Sequence, residues 1–144
     1  MKEEPLDESV RELLRQFFEE HIPFNRFVGM KLVSISKGAA HAEIPFRDEL
    51  IGDPMRPALH GGVLSAFADA VGGLAVFTVI EPGAKCSTID LRIDYLRPGR
   101  LEKIQARARV LRTGNRVSVV EVSVFQHDPD SPIAIAMAVY SIKR

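Results

Sequence analysis

The residues best suited to chemistry lie in one apolar stretch from His60 to Phe77. After the histidine almost every residue in this stretch is apolar or small, and its only ionisable side chain is Asp69. The length and the absence of proline predict a helix from about Gly61 to Ile80 that is buried on all sides. A carboxylate in such a helix is costly unless it is hydrogen-bonded, paired or used in a reaction. Asp69 is therefore either a hydrogen-bonded core residue or a functional one.

The start of the predicted helix carries a second chemical feature. Gly61 and Gly62 place free backbone N–H groups at the positive end of the helix dipole, where an anion or a developing oxyanion is stabilised. Small or polar residues continue along one side of the helix at the spacing of successive turns: Gly62, Ser65, Asp69 and Gly72–Gly73. A ligand or another backbone can approach closely along that side. One element thus combines an anion site with a carboxylate about two turns further along.

Composition limits the classes of protein that this chain can represent. Its 144 residues, 46% of them hydrophobic and 26% charged, predict one globular domain over residues 1–144. A formal net charge of zero gives no reason to expect a nucleic acid or a membrane as partner. The single cysteine, Cys86, excludes an internal disulfide and a cysteine-rich metal site. The acidic N-terminus lacks the apolar region of a secretory signal, so we expect a cytoplasmic protein.

The elements before the central helix must bring the chain to His60. Apolar residues recur at helical spacing in the N-terminal segment, and Pro23 prevents that helix from continuing. The predicted segments are a helix at Leu6–Glu20, a link at Phe24–Gly29, strands at Met30–Ser36 and Ala40–Phe46, and a loop at Arg47–Leu59.

Four strands are predicted after the central helix. They are Thr88–Leu96, Leu101–Arg112, Val117–Phe125 and Ile133–Ile142. Alternation in the first places Thr88 on the polar face with Asp90, opposite Ile89. The last has an alanine face around Ala136 that suits close approach of the central helix. We predict an α+β domain in which one antiparallel sheet wraps around one helix, and a homodimer that covers the remaining apolar surface.

Three motifs in this arrangement resemble those of a known enzyme family. Leu59–Gly62 followed by Asp69, then Ser87–Leu91 and Asp94–Pro98, resembles the hotdog-fold acyl-CoA thioesterases of the phenylacetate-degradation (PaaI) type. The resemblance covers residues 25–144 in element order, and the combination of motifs is more specific than the HGG segment alone. It implies a hotdog fold whose sheet continues across a homodimer, or a tetramer of two such dimers. It also implies active sites at the dimer interface, with the HGG segment and the carboxylate on different subunits.

The resemblance further implies roles for individual residues. Asp69 would act as general base towards water or as direct nucleophile at the thioester carbonyl, and Thr88 would orient the attacking water. The Gly61 N–H would stabilise the oxyanion, while His60 would shape the turn by hydrogen bonding. Coenzyme A enters only as part of the acyl-CoA substrate, and no metal or separate cofactor is expected. The candidate contacts to coenzyme A are Gly62, Arg97, Pro98 and Arg116.

The chain departs from the family pattern at Pro54, six residues before the HGG histidine. Many relatives carry an asparagine there that helps to hold the carbonyl. The second oxyanion donor is therefore unassigned, and Asn25 from another loop is a candidate. A small to medium or aromatic acyl group is predicted. The residues that suggest an apolar or aromatic acyl pocket are Phe24, Phe27, Met55, Leu59 and Phe67.

Two alternative functions stay open at this point. A hotdog-fold dehydratase or hydratase would pair the carboxylate with a catalytic histidine, but neither His41 nor His127 shows a pairing motif. A non-catalytic acyl-CoA-binding domain would have no use for the costly charge of Asp69. An assay of turnover separates an enzyme from a binding domain, since a binding domain would bind its ligand tightly without turnover.

Overall fold

A computed structural model describes residues 3–144, and their elements follow the predicted order of helix, hairpin, central helix and four strands. The helices are α1 (Glu8–Gln16), α2 (Pro23–Val28) and α3 (Gly61–Phe77). The strands are β1 (Lys31–Ser36), β2 (Ala39–Ile44), β3 (Ile51–Asp53), β4 (Ala58–Leu59), β5 (Lys85–Tyr95), β6 (Ile104–Thr113), β7 (Val117–Phe125) and β8 (Ala134–Lys143). Six strands form one antiparallel sheet in the order β1-β2-β6-β7-β8-β5, and β3 pairs with β4. This architecture confirms the predicted fold class.

The central helix α3 packs against the inner face of the sheet. It contacts β2, β5, β6, β7 and β8. Alanines on the facing strands let the helix come close, and Ala106, Ala108, Ala136 and Ala138 are all buried. The predicted alanine face of the last strand is thus confirmed, and it lies under the helix that carries Asp69.

Helix α3 ends at Phe77, three residues earlier than predicted. The Thr78 hydroxyl donates to the Ala75 carbonyl at 2.6 Å and accepts from the Gly38 N–H at 2.7 Å. These bonds tighten the last turn and fix it to the β1–β2 hairpin. No helix among residues 3–144 is long and apolar enough to span a membrane.

The N-terminal segment is more helical than the sequence indicates. Helix α1 is capped by Asp7 and continues into a single π-helical turn at Phe17–His21. The predicted link at residues 24–29 is wrong, because Pro23–Val28 forms the short helix α2. Proline suits the first position of a helix, and Gly29 ends this one with a φ of +90°, a conformation that favours glycine.

Two further departures from the predicted elements lie near the candidate site, one in the predicted loop and one in a predicted strand. The loop before His60 contains a 3-10 turn at Asp48–Leu50 as well as the β3–β4 pair. A β-bulge in β5 shifts the register between Thr88 and Asp90. The bulge moves Thr88 to the helix-facing side of the sheet, so the prediction that it shares a face with Asp90 is wrong.

Candidate active site

The centre of the site is a hydrogen bond between α3 and β5. The Thr88 hydroxyl donates to Asp69 Oδ1 at 2.7 Å, and the Asp69 residue is partly buried in the middle of α3. The β5 bulge makes this contact, since it re-aims Thr88 towards the helix. The Tyr140 hydroxyl donates to the Asp69 backbone carbonyl at 2.8 Å and so ties the same helical turn to β8. Asp69 is therefore held by two strands.

An apolar cavity of about 350 Å³ opens beside this pair. Asp69 and Thr88 line it, together with the thiol-bearing residue Cys86 and Tyr140 of the sheet. Helix α3 contributes Ala66, Ala70, Gly73, Leu74 and Phe77, and the N-terminal segment contributes Phe17, Phe18, Ile22, Phe24 and Asn25. The arrangement can hold an apolar chain next to a carboxylate.

The predicted acyl-pocket residues separate into three groups. Phe24 lines the cavity with Asp69. Leu59 and Phe67 are buried core residues, whereas Phe27 and Met55 are 70% and 88% exposed. Only Phe24 of the five therefore lines this cavity, because core packing uses the same residue types.

The start of α3 has the geometry of an anion site. His60 caps the helix, since its Nδ1 accepts from the Gly62 N–H at 2.8 Å. Among the described residues the Gly61 N–H has no acceptor, while the Gly61 carbonyl accepts from the Tyr95 hydroxyl at 3.0 Å. The turn also leaves no room for a side chain at Gly52, because a Cβ there would lie 2.5 Å from the His60 Cα. Gly52 therefore fixes the HGG segment, a role that its place in a glycine- and proline-rich loop did not reveal.

The two parts of the site are separated along the helix axis. Gly61 and Asp69 are eight residues apart in α3, which corresponds to about 12 Å. One thioester carbonyl cannot reach both the Gly61 N–H and the Asp69 carboxylate of the same chain. A site that uses both parts therefore needs a second subunit, and the sharing of the site between subunits stays a prediction.

The candidate coenzyme A contacts fall at two places. The loop that carries Arg97 and Pro98 lies beside the start of α3, because the Leu59 N–H donates to the Gly99 carbonyl at 3.0 Å. Arg97 itself donates to the Ser131 hydroxyl at 3.0 Å. Arg116 precedes β7 at the opposite end of the sheet, where the Ile142 N–H donates to its carbonyl. Within one chain the structure brings Gly62, Arg97 and Pro98 to one end and leaves Arg116 at the other.

Asn25 lines the cavity that contains Asp69, whereas the loop around Pro54 does not. Asn25 is buried on α2 and lines the cavity, and its side-chain amide donates to the Phe18 carbonyl at 3.1 Å. Pro54 lies in an exposed turn, where the neighbouring Asp53 carboxylate accepts from the backbone N–H groups of Arg56 and Met55. These hydrogen bonds lower the pKa of Asp53 and commit its side chain to the turn.

The histidines that a hydratase would require lie elsewhere. His41 is on the outer face of the sheet, with Nε2 at 2.9 Å from Gln105 Oε1, and His127 pairs with Glu102. Within residues 3–144 no histidine lines the cavity that contains Asp69, and no cluster of three or more potential metal ligands occurs.

Comparisons with known proteins agree with this geometry. A family profile described as the thioesterase superfamily matches residues 57–133. The medium/long-chain acyl-CoA thioesterase YigI of Escherichia coli (strain K12) is 34% identical, over 94% of this chain and 95% of that protein. A Shewanella oneidensis structure related to the thioesterase superfamily has 30% identity and a TM-score of 0.84, over 96% of this chain and 98% of that one.

A phenylacetic acid degradation-related protein from Ralstonia eutropha JMP134 has the same fold, with a TM-score of 0.78 and 24% identity over 89% of this chain and 98% of that one. The comparisons therefore agree with both the expected architecture and the expected family. The chain belongs to the thioesterase superfamily and has its hotdog fold, as the HGG segment and the later strand motifs predicted.

Proposed function

We propose that this protein hydrolyses medium-chain acyl-CoA thioesters at a site centred on Asp69. The observation that carries the proposal is the Asp69–Thr88 hydrogen bond at the wall of an apolar cavity. A carboxylate beside a chain-sized apolar space suits a substrate with a reactive carbonyl and an apolar tail. The E. coli relative supports this substrate class, since its name specifies medium- and long-chain acyl-CoA.

In the general-base route, Asp69 takes a proton from water as the water oxygen bonds to the thioester carbon. The tetrahedral oxyanion then collapses, the C–S bond breaks, and the proton on Asp69 passes to the departing thiolate of coenzyme A. Thr88 orients the water, because its hydroxyl proton is donated to Asp69 and its lone pairs stay available as acceptors. The reaction needs no metal and no separate cofactor.

In the nucleophilic route, Asp69 attacks the thioester carbon directly and expels the thiolate, and water then hydrolyses the resulting anhydride. The two routes differ in the order of product formation. A rapid-quench experiment separates them, because thiol appears before free acid in the nucleophilic route and together with it in the general-base route.

The proposed site requires a second copy of the chain. Strand β5, which carries Thr88, is an edge strand of the sheet, and its Ile89 and Tyr95 are 58% and 51% exposed. A long edge strand with unpaired backbone groups and exposed apolar side chains is suited to pairing with another copy. We therefore propose a homodimer in which two β5 strands pair and the helix start of one subunit faces the carboxylate of the other. Association of two dimers into a tetramer stays a prediction.

The proposed position of coenzyme A follows from the same arrangement. The start of α3 supplies the Gly61 and Gly62 N–H groups, and the adjacent loop supplies Arg97 and Pro98. Arginine suits the phosphates of coenzyme A, and the helix start suits the carbonyl oxygen as it gains charge. Arg116 and Arg97 lie at opposite ends of the sheet in one chain, so both can contact the same coenzyme A only if they come from different subunits of the dimer.

The first test measures thiol release from straight-chain acyl-CoAs of increasing length and from aryl acyl-CoAs. Asp69→Asn is expected to lower kcat at least about 100-fold, because it removes the proton acceptor while keeping the shape of the side chain. Asp90→Asn is the matched control, since Asp90 lies on the outer face of the same strand that carries Thr88. Equal turnover by Asp69→Asn and wild type would contradict the role of Asp69.

The same assay distinguishes the alternative functions. A hydratase or dehydratase would change the absorbance of enoyl-CoA without releasing thiol. A binding domain would retain acyl-CoA on the protein without forming either product. Either result would replace the proposed thioesterase function.

A second test asks whether two subunits share each site. Gly61→Pro removes the proposed oxyanion donor, and proline is tolerated at the first helical position after an extended residue such as His60. Gly61→Ala is its control, because alanine keeps the N–H. Co-expressed Gly61→Pro and Asp69→Asn chains are each expected to be inactive alone, but a hybrid dimer contains one intact site and recovers up to about half of the activity per dimer. Absence of recovery in a purified hybrid would contradict the shared site.

A further inference from the structure

The cavity beside Asp69 is lined by α3 as far as Phe77. Along α3 its side is formed by small residues, Ala66, Ala70 and Gly73, which leave room for a chain. The last α3 residue that lines it is Phe77, eight residues or about 12 Å beyond Asp69. An apolar chain that begins at Asp69 and follows the helix would therefore meet the Phe77 ring.

A second aromatic ring from the N-terminal segment meets Phe77 at this position. The rings of Phe17 and Phe77 are 5.5 Å apart between centroids and lie edge to face at 74°. Phe17 is the first residue of the π-helical turn that follows α1, and it also lines the cavity. π-Helical turns are frequent at functional sites, and both Phe17 and Phe18 of this one line the cavity, with Phe18 also packed in the core.

We infer that the Phe17–Phe77 pair closes the far end of the acyl cavity and sets the longest acyl chain that the enzyme accepts. This inference rests on the proposed function and assigns the specificity-determining residues of the same site. The cavity volume of about 350 Å³ lies at the lower end of the range of pockets that bind small ligands, so the space for an acyl chain is limited. The N-terminal segment is thus part of the substrate site rather than an appendage to the hotdog core.

The test compares kcat/KM for saturated acyl-CoAs of increasing chain length. Phe77→Ala and Phe17→Ala remove the end wall, so both should shift the optimum to longer chains and raise the long-to-medium ratio of kcat/KM about tenfold. Gly73→Leu places a larger side chain four residues or about 6 Å beyond Asp69, halfway to Phe77, and should shift the optimum to shorter chains. Leu13→Ala is the control, because Leu13 lies on α1, is 65% exposed and does not line the cavity.

A folding defect cannot explain chain-length optima that shift in opposite directions, since a loosened fold would lower the rates for all chain lengths together. If wild type hydrolyses acyl-CoAs but Phe77→Ala and Phe17→Ala both keep its chain-length profile, the Phe17–Phe77 inference is overturned and the proposed function stands. If no acyl-CoA is hydrolysed by wild type, the proposed function itself fails.

A binding measurement tests the inference independently of turnover. Cys86 is the single cysteine and lines the cavity, so an acyl chain inside should protect it from a small uncharged maleimide. In Asp69→Asn protein, protection by acyl-CoAs should reach its maximum at medium length, and the maximum should move to longer chains when Phe77→Ala is added. Protection that does not depend on chain length in either protein would overturn the inference.

Discussion

The Tyr140 hydroxyl donates a 2.8 Å hydrogen bond to the backbone carbonyl of Asp69. Tyr140 is buried, and burial, reinforced by the charge of the Asp69 carboxylate, raises the pKa of its hydroxyl well above the usual range. The hydroxyl therefore stays protonated and keeps its role as donor. Gly72 makes the contact possible, because a Cβ at that position would overlap the tyrosine hydroxyl. The turn of α3 that carries the carboxylate is thus fixed by the close contact of Gly72 with Tyr140.

The first prediction concerns the close approach of Gly72 and Tyr140. Gly72→Ala should destabilise the fold by about 1–3 kcal/mol, because overpacking outweighs the better helix propensity of alanine. Urea unfolding measures the change. In a Tyr140→Phe background the overlapping oxygen is absent, so the same substitution should cost at least about 1 kcal/mol less. Equal costs in both backgrounds would show that the hydroxyl does not limit the space at Gly72.

The second prediction concerns the Thr88 hydroxyl. Thr88→Val keeps the shape of the side chain but removes a hydrogen bond to a carboxylate, which is worth about 1.5–3 kcal/mol. If that bond orients Asp69 and the water, kcat should fall about 10- to 100-fold with little change in KM. Thr88→Ser restores the hydroxyl and should recover most of the rate. A Thr88→Val enzyme with wild-type kcat would limit Thr88 to a structural role.

The α+β architecture was predictable from the sequence because it depends on local pattern, and the hotdog fold was implied by the resemblance of the HGG segment and the later strand motifs to a known family. The apolar stretch around Asp69 and the alanines that face it are visible as periodicity. The orientation of Thr88 was predicted wrongly by alternation, since a single-residue bulge inverts the pattern and has no signature in the residue types of β5. The Phe17–Phe77 contact joins segments 60 residues apart, and such pairing depends on tertiary packing rather than on spacing.

The third prediction uses the cysteine in the cavity. Burial, and secondarily the Asp69 carboxylate, raises the pKa of the Cys86 thiol to about 11. At pH 8.5 the reactive thiolate should therefore be roughly 100-fold scarcer than for an unperturbed thiol, and alkylation should be correspondingly slow. Asp69→Asn removes the second cause and should speed alkylation, whereas Asp90→Asn on the outer face should not. Equal rates in the two variants would contradict coupling between Asp69 and Cys86.

The fourth prediction concerns His41 on the outer face of the sheet. Burial lowers its pKa, and Arg107 and Lys103 act in the same direction, against the Gln105 hydrogen bond and the Glu43 charge. The folded state therefore binds a proton less readily than the unfolded state, whose histidine has a pKa of about 6.5. This contribution to stability is present above pH 6.5 and is lost as the pH falls through the lower folded-state pKa.

Wild type should accordingly lose stability between about pH 7 and pH 5 more steeply than His41→Gln, whose side chain does not titrate. Urea unfolding across this range measures the two slopes. At pH 8, where the histidine is neutral in both states, the two proteins should differ only by a constant offset, which serves as the control. Parallel profiles from pH 8 to pH 5 would contradict a lowered pKa at His41, and a steeper profile for His41→Gln would reverse its sign.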